Sequence, residues 1–441
     1  MRFLIVCYSY KPKVSPRAFR WAAIAEEWAK DGHQVDVVCA WYAGLFREEK
    51  IAGVNIYRVG FGRRFGNSIS VEYVYSLDDK KRLNFIRLFI KPLISILKVI
   101  YNISWKKLYW PDQACLWILP SYRKTNKLLK TYNYDMIITV SYPFSGHLVG
   151  LLFKKVVNAV PWLVDIGDPF SFLEKTPVNN DKLYNFINRK AEQRVFNTAD
   201  IVAVTTESTK QKYAELFPNN MSKVYVIPPL LNVFELQDYV NDFLKCNKNN
   251  ERIINMVFLG TLYESIRSPE YLLEIFSELL KIVKDVKLQL HFIGSISGCE
   301  QFFKRYRELI NKFIYLHGRV DRSEALKAMV DADMLVNIGN NTAYQLPSKI
   351  VEYIYTGKPI LNIVDDAQSD SSALFLKDYP VAFTLEKSHF SMKKEKLEEI
   401  LDFIKTSKPI SRKDVELLVY KYKSSYIAKK YLDLLITLVK Y

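Results

Sequence analysis

The apolar positions of this chain fall into short continuous runs rather than alternating ones. "RFLIVCYSY" near the N-terminus, "DMIITVS" before residue 142, "PWLVDIGD" and "DIVAVTT" are hydrophobic on both faces of an extended strand. Strands of that kind lie inside parallel sheets with helices on each side. Stretches of helical spacing, such as 17–30, stand between them. The second half repeats the alternation with "INMVFLG", "KLQLHFIG", "IYLHGRV", "DMLVNIG" and "PILNIV". The pattern breaks near 228–253, where "VIPPLL" carries two prolines and "KCNKNNER" is polar. It predicts two doubly wound α/β domains in tandem, 1–230 and 250–410. A Tyr- and Lys-rich helix over 411–441 is expected to cross back to the first domain. Ligands of such sheets bind beyond the carboxyl ends of the strands, and two facing sheets make a cleft.

Composition narrows this picture. The 441 residues exceed what one small core holds. A hydrophobic fraction of 49% with 14% aromatic residues excludes a disordered chain. A net charge of +16 suggests an anionic partner. None of the five cysteines forms a Cys-x-x-Cys pair, which indicates neither a zinc site nor a disulfide framework and fits a reducing cytoplasm. The N-terminus starts a strand at once, unlike a signal peptide.

The stretch Lys80–Lys130 holds 12 Lys and Arg against one acid, Asp112. At helical spacing Arg87, Lys91, Ser95 and Lys98 share one narrow stripe, and the rest is apolar. Such a helix lies in an anionic membrane interface, or packs on the first domain's core; its cations oppose a transmembrane span. Trp105, Trp110 and Trp117 read equally as an interfacial belt or as core. RNA-reading motifs with interleaved aromatics are absent.

The candidate chemistry sits just after the strands. Gly260 and Thr261 close the first strand of the second half, with Arg267 beyond; Gly318 and Arg319 close another. After "VNIGNN" an amide-rich loop leads to a helix starting near Pro347, with Ser348 and Lys349 in its first turn and Glu352 one turn on. A helix N-terminus and a lysine suit a diphosphate, and a carboxylate suits a ribose diol. The plainer reading pairs Lys349 with Glu352 on the surface. In the first half His147 starts a helix after a strand, and Asp165 and Asp168 follow "PWLV". Each has a structural reading: a core or capping histidine, a strand aspartate, a polar turn. "DAD" at Asp331–Asp333 lies between a helix end and a strand start, away from the ligand-binding end, so a metal role is not expected there.

The run "HGRV…EALKAMVDADMLVNIGN…PSKIVEYIYTGKPIL" resembles the donor region of retaining GT-B glycosyltransferases, glycosyltransferase family four. Glu352 matches the glutamate that binds the nucleotide ribose in that family. The chain departs from the pattern at the second glutamate, at the Arg-Lys pair and at the N-terminal glycine loop. Tyr344 stands where many members carry a second Glu, and Thr261 at the usual Arg. Arg267 lies one residue beyond the usual Lys, and "SYKPKVSP" replaces the N-terminal glycine loop. "DMIITVSYPFSGHLVGLLFKK…PWLVDIGDPFSF" resembles the acceptor domain, in which a histidine near His147 contacts the donor sugar. The resemblance implies two Rossmann-like domains and a nucleoside diphosphate sugar donor, with Gly260, Thr261, Arg267, Arg319, Ser348, Lys349 and Glu352 at the donor. It further implies His147 and Asp168 in catalysis, with no cofactor and no metal. Joined to the basic stretch, it suggests a polyprenyl-linked saccharide acceptor, surface polysaccharide assembly and a peripheral place on the cytoplasmic face of the membrane. A nucleotide-sugar epimerase and a basic nucleic-acid-binding scaffold are the alternatives.

Overall fold

The computed structural model describes residues 1–13, 15–63, 108–157, 159–173, 177–231, 253–340, 342–347, 349–387 and 394–439. The expected amphipathic helix with Arg87, Lys91 and Lys98, the residue Trp105, most of the domain boundary and Ser348 lie outside them. The chain divides into two compact units. One holds Met1–Thr205, Lys210–Val226 and Leu432–Tyr441; the other holds Thr206–Thr209 and Ile227–Tyr431.

The first unit runs β1 (Arg2–Cys7), α1 (Pro16–Lys30), β2 (Gln34–Tyr42), β3 (Glu48–Ile51) and β4 (Val54–Arg63). It continues with α2 (Ile118–Thr131), β5 (Met136–Ser141), α3 (Ser145–Lys154), β6 (Trp162–Ile166), α4 (Asp181–Thr198), β7 (Ile201–Val204), α5 (Glu207–Leu216) and β8 (Val224–Val226). The strands form one sheet in the order β3-β4-β2-β1-β5-β6-β7-β8. Every pairing is parallel except β3 with β4, a polar hairpin at the edge. All six residues of β5 are buried, as strands covered on both faces require. Ser15 caps α1 by accepting from the Ala18 amide, and Pro16 takes the first helical position.

Two indoles of the basic stretch are tied into this unit. Trp117 is 4% exposed and packs edge-on to Tyr8. The Trp110 indole donates to Asn188 Oδ1 at 3.0 Å. Both are therefore structural groups rather than an exposed belt.

The second unit runs β9 (Ile253–Leu259), α6 (Glu270–Ile282), β10 (Lys287–Ile293), α7 (Glu300–Lys304), β11 (Ile314–Gly318), α8 (Arg322–Asp331) and β12 (Met334–Ile338). Then come α9 (Ile350–Thr356), β13 (Ile360–Val364), α10 (Ser371–Leu376), β14 (Ala382–Glu386), α11 (Lys394–Thr406) and α12 (Arg412–Val419), followed by α13 (Ser424–Val439), whose residues from Leu432 onward belong to the first unit. Its sheet is wholly parallel, in the order β11-β10-β9-β12-β13-β14. One face packs Met256, Phe258, Leu290 and Phe292 against Phe276 and Ile400. The other packs Val257, Leu259 and Leu335 against Met329, Tyr353 and Val415. Val415 and Val419 thus place α12 in this unit's core.

The strand order reverses between β9 and β12 in the second unit and between β1 and β5 in the first. Those switch points leave a crevice beyond the carboxyl ends of the strands. Among the described residues no helix is long and apolar enough to cross a membrane.

Candidate functional site

At the switch point of the second unit the strand ends meet backbone to backbone. Gly260 donates to the Ile293 carbonyl at 2.9 Å, and Gly294 donates to Gly318 at 2.7 Å. A Cβ on Gly294 would stand 1.9 Å from the Gly260 oxygen, so only glycine lets the two loops touch.

Arg267 spans this crevice. One guanidinium nitrogen donates to Asn340 Oδ1, just past β12, and the other to the Thr261 carbonyl at 3.4 Å, just past β9. Its Nε is buried with no partner. Burial holds the guanidinium below its ordinary range, against the pull of Tyr353, Tyr263 and Asp370. Asn340 in turn donates to the Gln345 carbonyl at 2.8 Å, which orders the amide-rich loop.

The regular helix begins later than its sequence suggests. Pro347 opens a turn, with the Ile350 amide donating to its carbonyl, and α9 starts at Ile350. Lys349 is therefore the capping residue, Glu352 lies in the first turn, and Gly357 closes the helix at φ 73°. With only seven residues α9 is too short to supply much of a dipole, so side-chain cations carry the positive charge here. Tyr353 pins the helix to the end of β9: its hydroxyl accepts from the Leu259 amide at 3.0 Å.

Glu352 does not pair with Lys349 as a surface couple. Its Oε1 accepts from Arg322 Nη2 at 2.7 Å and its Oε2 from Arg322 Nη1 at 3.4 Å. The Glu352 side chain is 13% exposed. Burial lowers the pKa of the Lys349 ammonium; Arg322 and Arg267 push the same way, and Glu352 opposes them. Lys349 thus stands within electrostatic reach of two arginines and one carboxylate, an arrangement that an anion would relieve. Arg319 is exposed just past β11. Tyr344 sits in the ordered loop, part-buried, with its amide donating to Thr342 Oγ1. Arg322 and Asn340 were not among the residues expected from sequence.

A cavity of about 590 Å³ lies elsewhere in this unit, against α8. His291, His317, Lys327 and Asp331 line it, and none of the expected donor residues does. Asp333 is engaged by the Asn255 amide at 2.8 Å and side chain at 3.2 Å. Among the described residues no group of three or more His, Cys, Asp and Glu is placed to hold a metal ion.

The strand ends of the first unit are organised differently. Asp112, wholly buried, caps α3 by accepting from the Ser145 amide at 2.9 Å and hydroxyl at 2.7 Å. That cap presents His147, which has no exposed surface. Its Nδ1 lies 2.8 Å from Thr139 Oγ1, which also accepts from the Trp162 indole. Its Nε2 is buried without a partner. Burial pulls the imidazole down to about 3, with Asp165 opposing and Arg17 assisting, so the ring is neutral.

Asp165 lies inside β6 and is 2% exposed. It accepts from Trp21 Nε1 at 2.8 Å and from Arg17 at 3.4 Å. Arg17 fills the space a side chain at 167 would need: a Cβ on Gly167 would stand 1.5 Å from its guanidinium. Asp168, partly exposed, sits on the loop that follows. Glu192 holds that loop, accepting from the Phe170 amide at 3.0 Å, the Ser171 amide at 3.2 Å and the Ser171 and Tyr213 hydroxyls at 2.6 Å. Burial raises the pKa of the Glu192 carboxyl, and these four bonds oppose the rise. Phe170 stacks on Phe144 with centroids 3.9 Å apart, which joins the Asp168 loop to the start of the His147 helix.

Comparison with known proteins bears on this arrangement. Residues 20–233 match the family model described as Glycosyltransferase Family 4. The match covers just under half of the chain. No curated protein sequence matches it. Solved structures match over the whole length. Sucrose-phosphate synthase from Thermosynechococcus elongatus is 12% identical with a TM-score of 0.66, covering 100% of this chain and 99% of its own. HepE from Anabaena, in complex with UDP, is 11% identical with a TM-score of 0.59, covering 99% and 100%. The catalytic domain of starch synthase IV from Arabidopsis thaliana, bound to ADP and acarbose, is 9% identical with a TM-score of 0.59, covering 100% and 99%. At these identities the likeness establishes the fold, which is GT-B: two parallel-sheet α/β domains. The family match and the fold together support a glycosyltransferase.

Proposed function

We propose that this protein moves a sugar from a nucleoside diphosphate sugar to a hydroxyl of a polyprenyl-linked saccharide, with retention of configuration. The gathering of Arg267, Arg322 and Glu352 about Lys349 carries this reading. A pyrophosphate would relieve the mutual repulsion of the cations, and its ribose would meet the carboxylate. HepE and starch synthase IV, which share the fold, are bound to UDP and ADP.

The second unit takes the donor. Arg267 and Lys349 stabilise charge on the leaving diphosphate, whose oxygen accepts the proton of the attacking hydroxyl. Gly260 and Thr261 line its approach, Ser348 adds a hydroxyl and Arg319 a cation at the rim. The first unit takes the acceptor. Asp168 orients the acceptor hydroxyl. His147, neutral and with an unpartnered Nε2, offers a hydrogen bond to a sugar hydroxyl once a shift of its neighbours uncovers that wholly buried nitrogen; a buried polar atom left unpaired costs about 1–3 kcal/mol, which a ligand would recover. Cations take the part a metal plays in other glycosyltransferases, so chelation with EDTA leaves the activity intact. The basic, apolar stretch within 80–130 supports a lipid-linked acceptor and a peripheral place on the cytoplasmic membrane face.

Thermal-shift titration with UDP- and ADP-sugars tests the donor site. A true donor raises the melting temperature, and Glu352→Ala removes that rise while circular dichroism is preserved. Unchanged donor affinity in the variant removes the ribose role.

A further inference from the structure

We propose that Arg322 is the positioning residue for Glu352 and thereby sets the preference of this site for ribonucleotides over 2′-deoxyribonucleotides. The inference rests on the donor-site reading above and adds to it a residue that no sequence motif marked.

The two residues are 30 positions apart and stand on different helices. Arg322 opens α8 and Glu352 lies in the first turn of α9. A cation in the first turn of a helix opposes the helix dipole, so Arg322 is at its most favourable with a carboxylate in reach. The fork meets both carboxylate oxygens, at 2.7 and 3.4 Å, which fixes the plane of the carboxylate as well as its place. Each carboxylate oxygen has about two acceptor positions, and the guanidinium takes one from each. Oε1 is held at 2.7 Å and Oε2 only at 3.4 Å, so Oε2 is the oxygen left to accept from a ribose hydroxyl, a donor that a 2′-deoxyribose lacks.

Without Arg322 the carboxylate has another neighbour. Lys349 lies three residues back in the chain and is already coupled to it electrostatically. A lysine ammonium is a point charge that holds a carboxylate without fixing its plane. Glu352 would then turn toward Lys349 and neutralise a cation meant for the diphosphate. The hydroxyl contact would weaken, and with it the distinction between ribose and deoxyribose.

The experiment is calorimetric titration of the full chain with UDP, dUDP, ADP and dADP. Wild type, Arg322→Ala, Arg322→Lys and Glu352→Gln are compared, with melting temperatures recorded alongside. For whichever base binds, wild type is expected to favour the ribonucleotide by about tenfold, the scale of one lost hydrogen bond to a charged group. Arg322→Ala is expected to reduce that ratio below about threefold, and Arg322→Lys to retain part of it. If Arg322→Ala fails to fold, the ratio in Arg322→Lys decides: a full wild-type ratio there overturns the proposal. A ratio unchanged in a folded Arg322→Ala, with only the melting temperature lowered, makes the residue structural and overturns the proposal while the donor site stands. Equal binding of ribo and deoxy forms by wild type, or binding of neither base, removes the ribose role of Glu352 and the inference with it.

Discussion

The two units share a doubly wound plan but treat charge at their strand ends in opposite ways. In the second unit Lys349 has two arginines and one carboxylate about it, and burial works against Lys349 and Arg267. In the first unit the buried carboxylates are closed into local networks: Asp165 with Trp21 and Arg17, Glu192 with Ser171 and Tyr213, Asp112 with Ser145. Its histidine is neutral. A crevice with surplus positive charge suits an anion arriving from solution. A crevice whose buried carboxylates are satisfied, with one partly exposed aspartate, suits a neutral hydroxyl, for which geometry counts more than charge. Topology alone would not have told the two apart.

The contrast predicts that substitutions separate stability from nucleotide binding. Glu192→Ala has the largest expected effect. It strands two amides and two hydroxyls in a buried place and lowers stability by about 3–4 kcal/mol in urea denaturation. Its nucleotide affinity, measured at low urea, stays at the wild-type level. Arg267→Ala does the reverse. Losing a buried guanidinium from the diphosphate weakens UDP or ADP binding about a hundredfold, with a shift in melting temperature of a few degrees at most. A large stability loss there would break the comparison.

Gly167→Ala comes next. The added methyl displaces the Arg17 guanidinium, uncovers Asp165 and costs about 2 kcal/mol, again without touching nucleotide affinity. His147 gives the finest discrimination. Its folded-state pKa, about 3, lies below the ordinary 6.5, so the unfolded chain takes up a proton that the folded chain refuses. The stability tied to this ring is full above pH 6.5 and declines as pH falls toward 3, by about 1.4 kcal/mol per pH unit. His291, held down to about 4 by burial and His317, adds a similar slope in the second unit. His147→Asn therefore flattens the acid limb without abolishing it, which urea midpoints between pH 4 and 7 would reveal.

Much of the fold was legible because it is written locally. "DMIITVS" and "DMLVNIG" are continuous apolar runs and became fully buried parallel strands. The spacing from Pro347 to Gly357 put Lys349 and Glu352 at one end of a short helix, with the start misjudged by a few residues because Pro347 opens a turn instead. What escaped notice depends on contacts between distant positions. Arg322 sits in "DRSEAL", which reads as a solvated helix start, until it meets a carboxylate 30 residues on. Glu192 looks like one more charge on a polar helix, yet it is 1% exposed. Arg17 and Gly167 explain each other across 150 residues, and neither signals the other in one sequence. The edge hairpin β3–β4 escaped because "EEKI" is too polar to read as strand. Trp117, equally at home in a membrane belt or a core, needed its neighbours to decide.

Where Gly294 abuts the Gly260 oxygen, the molecule leaves no volume for a larger residue. That wall of the crevice is bare main chain, with nothing to exchange or trim. Any retuning of which nucleotide fits, by selection or by engineering, must therefore come from the opposite bank, where α8 and α9 present side chains that can be altered.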